Sequence, residues 1–143
     1  MVDAAVRYTP FDALTVFEEA LTTAVTANLA NILTVGDGRI DAIAVLDITA
    51  LDIVTTDETY NVYIQGSSSA TFASDIENLA AYDLADTASR DGGADVTSLI
   101  GRHEIHFSNS MNGVEYKYIR ARIVIAGTTP SITLTAWVSM RTE

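Results

Sequence analysis

From residue 132 to residue 140 every second side chain is apolar. Ile132, Leu134, Ala136, Val138 and Met140 alternate with Ser131, Thr133, Thr135, Trp137 and Ser139. Strand side chains point to opposite faces in turn, whereas helical ones recur every 3.6 residues. The pattern therefore reads as a strand with one greasy face and one hydroxylic face, Trp137 excepted. Such a strand must bury its greasy face against a second layer, which constrains the fold more than any other feature of the chain.

Turn signals follow at short intervals. They are Gly36-Asp37-Gly38, Thr56-Asp57, Gly66-Ser67-Ser68-Ser69, Asp91-Gly92-Gly93, Asn112-Gly113 and Gly127-Thr128. Threonine and β-branched aliphatics are abundant between them, and proline occurs only at Pro10 and Pro130. Short β-rich runs with regular turns predict an all-β sandwich or barrel. Residues 43–53 and 59–65 read as strands joined by a turn at residues 55–58, and residues 76–84 read as a weaker strand.

Asn112-Gly113 is the sharpest local signal. Both residues tolerate positive φ, as a two-residue type I′ turn requires. It predicts a hairpin between residues 100–108 and 114–126. In the second arm Tyr116, Tyr118, Arg120 and Arg122 share a face by parity. The apolar residues change face partway along, so this arm is expected to carry a bulge or to pass from one sheet region to another. Residues 11–32 are ambiguous. Leu14, Phe17, Leu21, Val25 and Leu29 fit helical spacing, but Thr15, Thr22, Thr23 and Thr26 dilute helix propensity. They read as an extended arm feeding a strand, with a helix as the alternative.

The chain is 143 residues long, enough for one domain that buries about 68–70% of its unfolded surface without staples. It has no cysteine, which excludes disulfides, thiol catalysis and cysteine zinc sites. Nineteen acidic residues against eight basic give a net charge of -11, so a basic nucleic-acid footprint is not expected. No apolar run approaches the roughly 20 residues of a membrane span, and no membrane partner is expected. Residues 1–10 carry two charges and no long apolar core, unlike a signal peptide.

Chemistry-bearing patterns are sparse. His103 and His106 are three apart in a predicted strand, so they point to opposite faces and cannot share a metal ion. Asp37-Gly38 and Asp91-Gly92-Gly93-Ala94-Asp95 lack the ordered set of about six oxygens that calcium needs. Asp47 and Asp52 sit among apolar neighbours but read as outward residues of a half-exposed strand. Ser67-Ser68-Ser69 has no nucleophile-elbow context. No metal, no cofactor and no enzymatic activity are expected. Tyr116, Tyr118, Arg120, Arg122 and Trp137 are instead candidates for a subunit interface, where Tyr, Trp and Arg concentrate. Arg7, Tyr8, Phe11 and Phe17 are candidate anchors of a docking arm over residues 1–17, with the sandwich over residues 18–143. Pro10 favours an extended approach at Thr9. A carbohydrate-binding module or adhesin using Trp137 with Tyr116 is the alternative.

Several segments read in order resemble a known family. They are Val45-Leu46-Asp47-Ile48-Thr49-Ala50-Leu51-Asp52-Ile53, then Asp57-Glu58-Thr59-Tyr60-Asn61-Val62-Tyr63-Ile64-Gln65-Gly66-Ser67, Phe72-Ala73-Ser74 and Asn78-Leu79-Ala80. Gly101-Arg102-His103-Glu104-Ile105, Tyr116-Lys117-Tyr118-Ile119-Arg120 and Ala126-Gly127-Thr128-Thr129-Pro130-Ser131-Ile132 follow. Their order, over residues 11–140, resembles small capsid cement (decoration) proteins of tailed bacteriophages. The resemblance implies a jelly-roll-like antiparallel β-sandwich and a location on the outer capsid surface of the virion. It also implies a homotrimer that bridges neighbouring capsomers, the major capsid protein as partner, and no cofactor.

Overall fold

The computed structural model describes residues 16–139. They build two antiparallel sheets and no α-helix. The first sheet holds β1 (Val16–Thr23), β4 (Asp41–Leu51), β7 (Gly101–Ser108) and β11 (Ile132–Ser139), in the order β1-β11-β4-β7. The second holds β2 (Ala27–Asn28), β3 (Leu33–Thr34), β5 (Thr59–Ser67), β6 (Glu77–Ala85) and β10 (Tyr118–Ala126), in the order β2-β10-β5-β6, with β3 also on β10. β8 (Ser110–Met111) and β9 (Val114–Glu115) form a separate two-stranded ribbon. The expected all-β antiparallel sandwich is what forms.

Alternation selects the core. Ala42, Ala44, Leu46 and Ile48 of β4 and Ile132, Leu134, Ala136 and Val138 of β11 face Tyr60, Val62 and Ile64 of β5 and Ile119, Ala121 and Ile123 of β10. Each large aliphatic side chain withdrawn from water in this way contributes about 1.5–3 kcal/mol. Residues 16–23 form a strand, not a helix. The β-branched and threonine content prevails over the 3.6 spacing because β1 can pair with β11, with Val16 opposite Trp137 and Leu21 opposite Leu134. Phe17 then points inward and is fully buried. This corrects its assignment to a docking arm: the sandwich already includes Val16 and Phe17. Arg7, Tyr8 and Phe11 lie outside the described residues.

At one end, two turns lock the sheets together. The Tyr60 hydroxyl donates to the Asp52 carbonyl at 2.5 Å and accepts the Ser131 amide at 2.8 Å. The Asp57 carboxylate accepts the amide and hydroxyl of Thr128 at 3.0 and 2.8 Å. Those bonds hold the Asp57 carboxyl below the usual carboxylate range. Gly127, at φ +111°, allows the approach: a Cβ there would lie 2.6 Å from the Asp57 carbonyl oxygen and from the Glu58 Cα.

The Asn112-Gly113 turn forms as expected, with both residues at positive φ. Its arms, however, are only the short β8 and β9. Beyond them the chain separates, so that β7 pairs with β4 in one sheet and β10 with β5 in the other. The change of apolar face along the second arm marks this crossing.

Candidate interaction surface

On β5 and β10 the inward residues are apolar, so the intervening ones form the outer face of the second sheet. In register, Arg120 stands opposite Gln65 and Arg122 opposite Tyr63, while Tyr118 stands opposite Ser67. β2 places Asn28 beside Arg122, and β6 places Asn78 beside Gln65. The result is a polar lattice. The Gln65 amide donates to Asn78 Oδ1 at 2.9 Å, and Arg120 Nε donates to Gln65 Oε1 at 2.9 Å. The Arg120 guanidinium lies 4.4 Å from the centre of the buried Phe72 ring. Arg122 donates to Asn28 Oδ1 at 2.8 Å. Lys117 approaches the Tyr118 ring at 6.0 Å.

Both arginines are thus fixed in direction by neutral partners. Neither forms an ion pair among the described residues, where the arginine–carboxylate pairs are Arg39–Asp41 and Arg90–Asp83. Burial, and after it the neighbouring charge of Arg122, holds the Arg120 guanidinium below the ordinary arginine range. The lattice is half-buried and positively charged in a chain of net charge -11.

The five residues expected at one interface separate in the structure. Tyr118, Arg120 and Arg122 share the outer face. Tyr116 does not: it is buried in the core. Between β9 and β10 the chain leaves strand geometry at Tyr116 and Lys117, which resets the parity. Asn109, also buried, captures the segment. Its amide donates to the Tyr116 carbonyl at 3.0 Å and to the Gly38 carbonyl at 2.9 Å, and its side-chain oxygen accepts the Ile40 amide at 2.8 Å. Trp137 lies on the outer side of the other sheet. It is nearly buried with Val16, Ile43 and Val45, and Arg102 stands 5.2 Å from its ring centre. A sugar platform of Trp137 with Tyr116 is therefore not formed: the two belong to different layers and both are covered.

A second feature lies where the edge strands β6 and β7 meet. Tyr82, Asp83, Arg90, Val96, Leu99 and His103 are among the residues lining a cleft of about 210 Å³. The Tyr82 hydroxyl is 2.8 Å from His103 Nδ1, and His103 Nε2 is 2.7 Å from the Leu99 carbonyl. A carbonyl only accepts, so Nε2 carries the proton and Nδ1 accepts from tyrosine. Arg90 donates to both oxygens of Asp83, at 3.1 and 3.3 Å, and to the Val96 carbonyl at 2.9 Å. The Arg90 hydrogen bond holds the Asp83 carboxyl low. These bonds fasten the loop of residues 86–100 over the edge of the sandwich. His106 points away from His103 and is exposed, as alternation requires.

Among the described residues, no three His, Asp or Glu side chains are grouped to hold a metal ion. No helix among them is long and apolar enough to cross a membrane. The sequence carries only half of the Arg120–Arg122 lattice: parity groups the arginines and Tyr118, but the partners Gln65, Asn78, Asn28 and Phe72 come from other strands and a loop. No known protein-family model matches the chain, and no curated protein matches it.

Proposed function

We propose that the protein is a capsid cement (decoration) protein of jelly-roll type, which binds the outer surface of a bacteriophage shell as a homotrimer and bridges neighbouring capsomers. The reading rests on the ordered likeness of its segments to that family. Those segments fall on β4, β5, β6, β7, β10 and β11 and on the turns next to them. The strand orders β1-β11-β4-β7 and β2-β10-β5-β6, in which the chain crosses between layers after β4, β6, β7 and β10 while β5 and β6 pair within one layer, are compatible with two interlocked Greek keys.

The observation that carries the reading is the outer lattice of Tyr63, Gln65, Tyr118, Arg120 and Arg122. It is a broad sheet face of oriented arginines and tyrosines, which suits contact with another protein. A small domain touching several subunits at once gains avidity from modest patches, because each contact raises the effective concentration of the next. Binding only the assembled shell then stabilises that shell by mass action.

The test is co-sedimentation of the purified chain with emptied phage capsids, together with capsid melting. Stoichiometric binding and a raised capsid melting temperature are expected. A chain that stays in the supernatant at micromolar concentration, leaving the capsids unchanged, refutes the reading.

A further inference from the structure

Arg120 and Arg122 are two positions apart on one strand face, about 7 Å along the chain at 3.3–3.4 Å per residue. Two like charges held so close, with no carboxylate paired to either among the described residues, oppose folding. The surrounding chain has acid to spare, yet none is placed here. The lattice holds each arginine through one hydrogen bond to a neutral partner and leaves most of its donors without a hydrogen bond among the described residues.

The loop of residues 86–100 has the complementary character. Asp91 and Asp95 are exposed, and neither carboxylate has a hydrogen bond or ion pair among the described residues. Val96, Leu99 and Ile100 in the same loop are 66%, 70% and 62% exposed. Three large apolar side chains uncovered beside two free carboxylates suit a face of arginines backed by aromatic rings. The loop cannot reach that face in its own chain. Asp83 and Val96 tie it through Arg90 to the β6 edge, and β5 separates β6 from β10.

We propose that the Arg120–Arg122 face receives the residue 86–100 loop of a second copy of this chain, with Asp91 and Asp95 meeting the arginines and the apolar side chains covering Tyr63 and Tyr118. The two surfaces differ, so the contact is head-to-tail and closes into a ring when the rotation allows. This deepens the trimer reading above and rests on it, by naming the two surfaces that meet.

The chain contains no cysteine, which permits a clean crosslinking test. A full-length variant carrying Tyr118→Cys and Val96→Cys keeps all four charges. On mild oxidation, free and on capsids, it should give covalent dimers and trimers, while each single variant gives neither ladder. Adding Arg120→Gln and Arg122→Gln should lower the crosslinked yield about tenfold or more and steepen its loss with salt. Adding Asp91→Arg and Asp95→Arg to Arg120→Glu and Arg122→Glu should restore it. Far-ultraviolet circular dichroism checks that each variant folds, and the neutral glutamine pair serves if reversal does not. Monomers alone after oxidation in both settings overturn the inference, as does a ladder indifferent to the arginines. Loss of capsid binding through the arginines but not through Asp91 and Asp95 also overturns it, and assigns the face to the shell. Capsid binding by the unmodified chain is scored separately, so failure of this contact is distinguishable from failure of the cement reading.

Discussion

Gly66 lies so close under Tyr116 that a Cβ on the glycine would stand 2.8 Å from the tyrosine Cβ and 2.9 Å from Leu79 Cδ1. The absent side chain on β5 is what lets the tyrosine ring turn inward and close the core at that end of the second sheet. An aromatic laid over a strand glycine covers backbone that would otherwise be under-packed. Gly66→Ala should therefore destabilise the protein by about 1–3 kcal/mol through overpacking. Urea unfolding checks it. Equal stability would mean that Tyr116 repacks freely.

Asn109 is the companion of that contact. It satisfies Ile40, Gly38 and Tyr116 from a fully buried position. Removing its amide strands three polar backbone groups, each costing about 1–3 kcal/mol when unsatisfied and partly relieved by relaxation. Asn109→Ala should cost about 3 kcal/mol or more, and hydrogen exchange at the Ile40 amide should accelerate. An unchanged exchange rate at Ile40 would contradict the assigned role.

Phe17 separates a core residue from a docking anchor. Buried without exposure, it should cost about 3–5 kcal/mol when replaced by alanine. A thermal melt of Phe17→Ala measures this directly. A variant with wild-type stability that loses only capsid binding would return the residue to the arm.

Acid should weaken the fold in a defined direction. Asp83 is held low chiefly by its hydrogen bonds from Arg90, and Asp57 chiefly by the Thr128 amide. A carboxyl depressed in the folded state stabilises it above the unfolded pKa and loses that contribution as pH falls through the folded value. Stability should thus be flat at neutral pH and decline below about pH 4, the unfolded carboxylate range. Asp83→Asn and Asp57→Asn should each flatten the decline. Acid melts of both variants that track the wild type would refute the assignment.

Which side chains share a face was readable in the sequence wherever a strand ran unbroken. The alternation from residue 132 onward selected the inward side of β11, and the turn signals located the ends of β4 and β5. Parity likewise grouped Tyr118, Arg120 and Arg122, because a period of two needs no knowledge of neighbours. It failed at Tyr116, where two residues outside strand geometry reset the count and a distant asparagine and glycine decided the direction. It could not decide Phe17, whose helical spacing with Leu21 and Val25 competed with a strand that exists only because β11 offers an edge. Nor could it separate Trp137 from the arginines, since alternation says that two residues face outward but not from which sheet. Periodicity is a local property of the chain. Sheet membership, edge pairing and the close approach of Gly66 to Tyr116 depend on contacts between residues far apart in sequence, and only the tertiary structure fixes those.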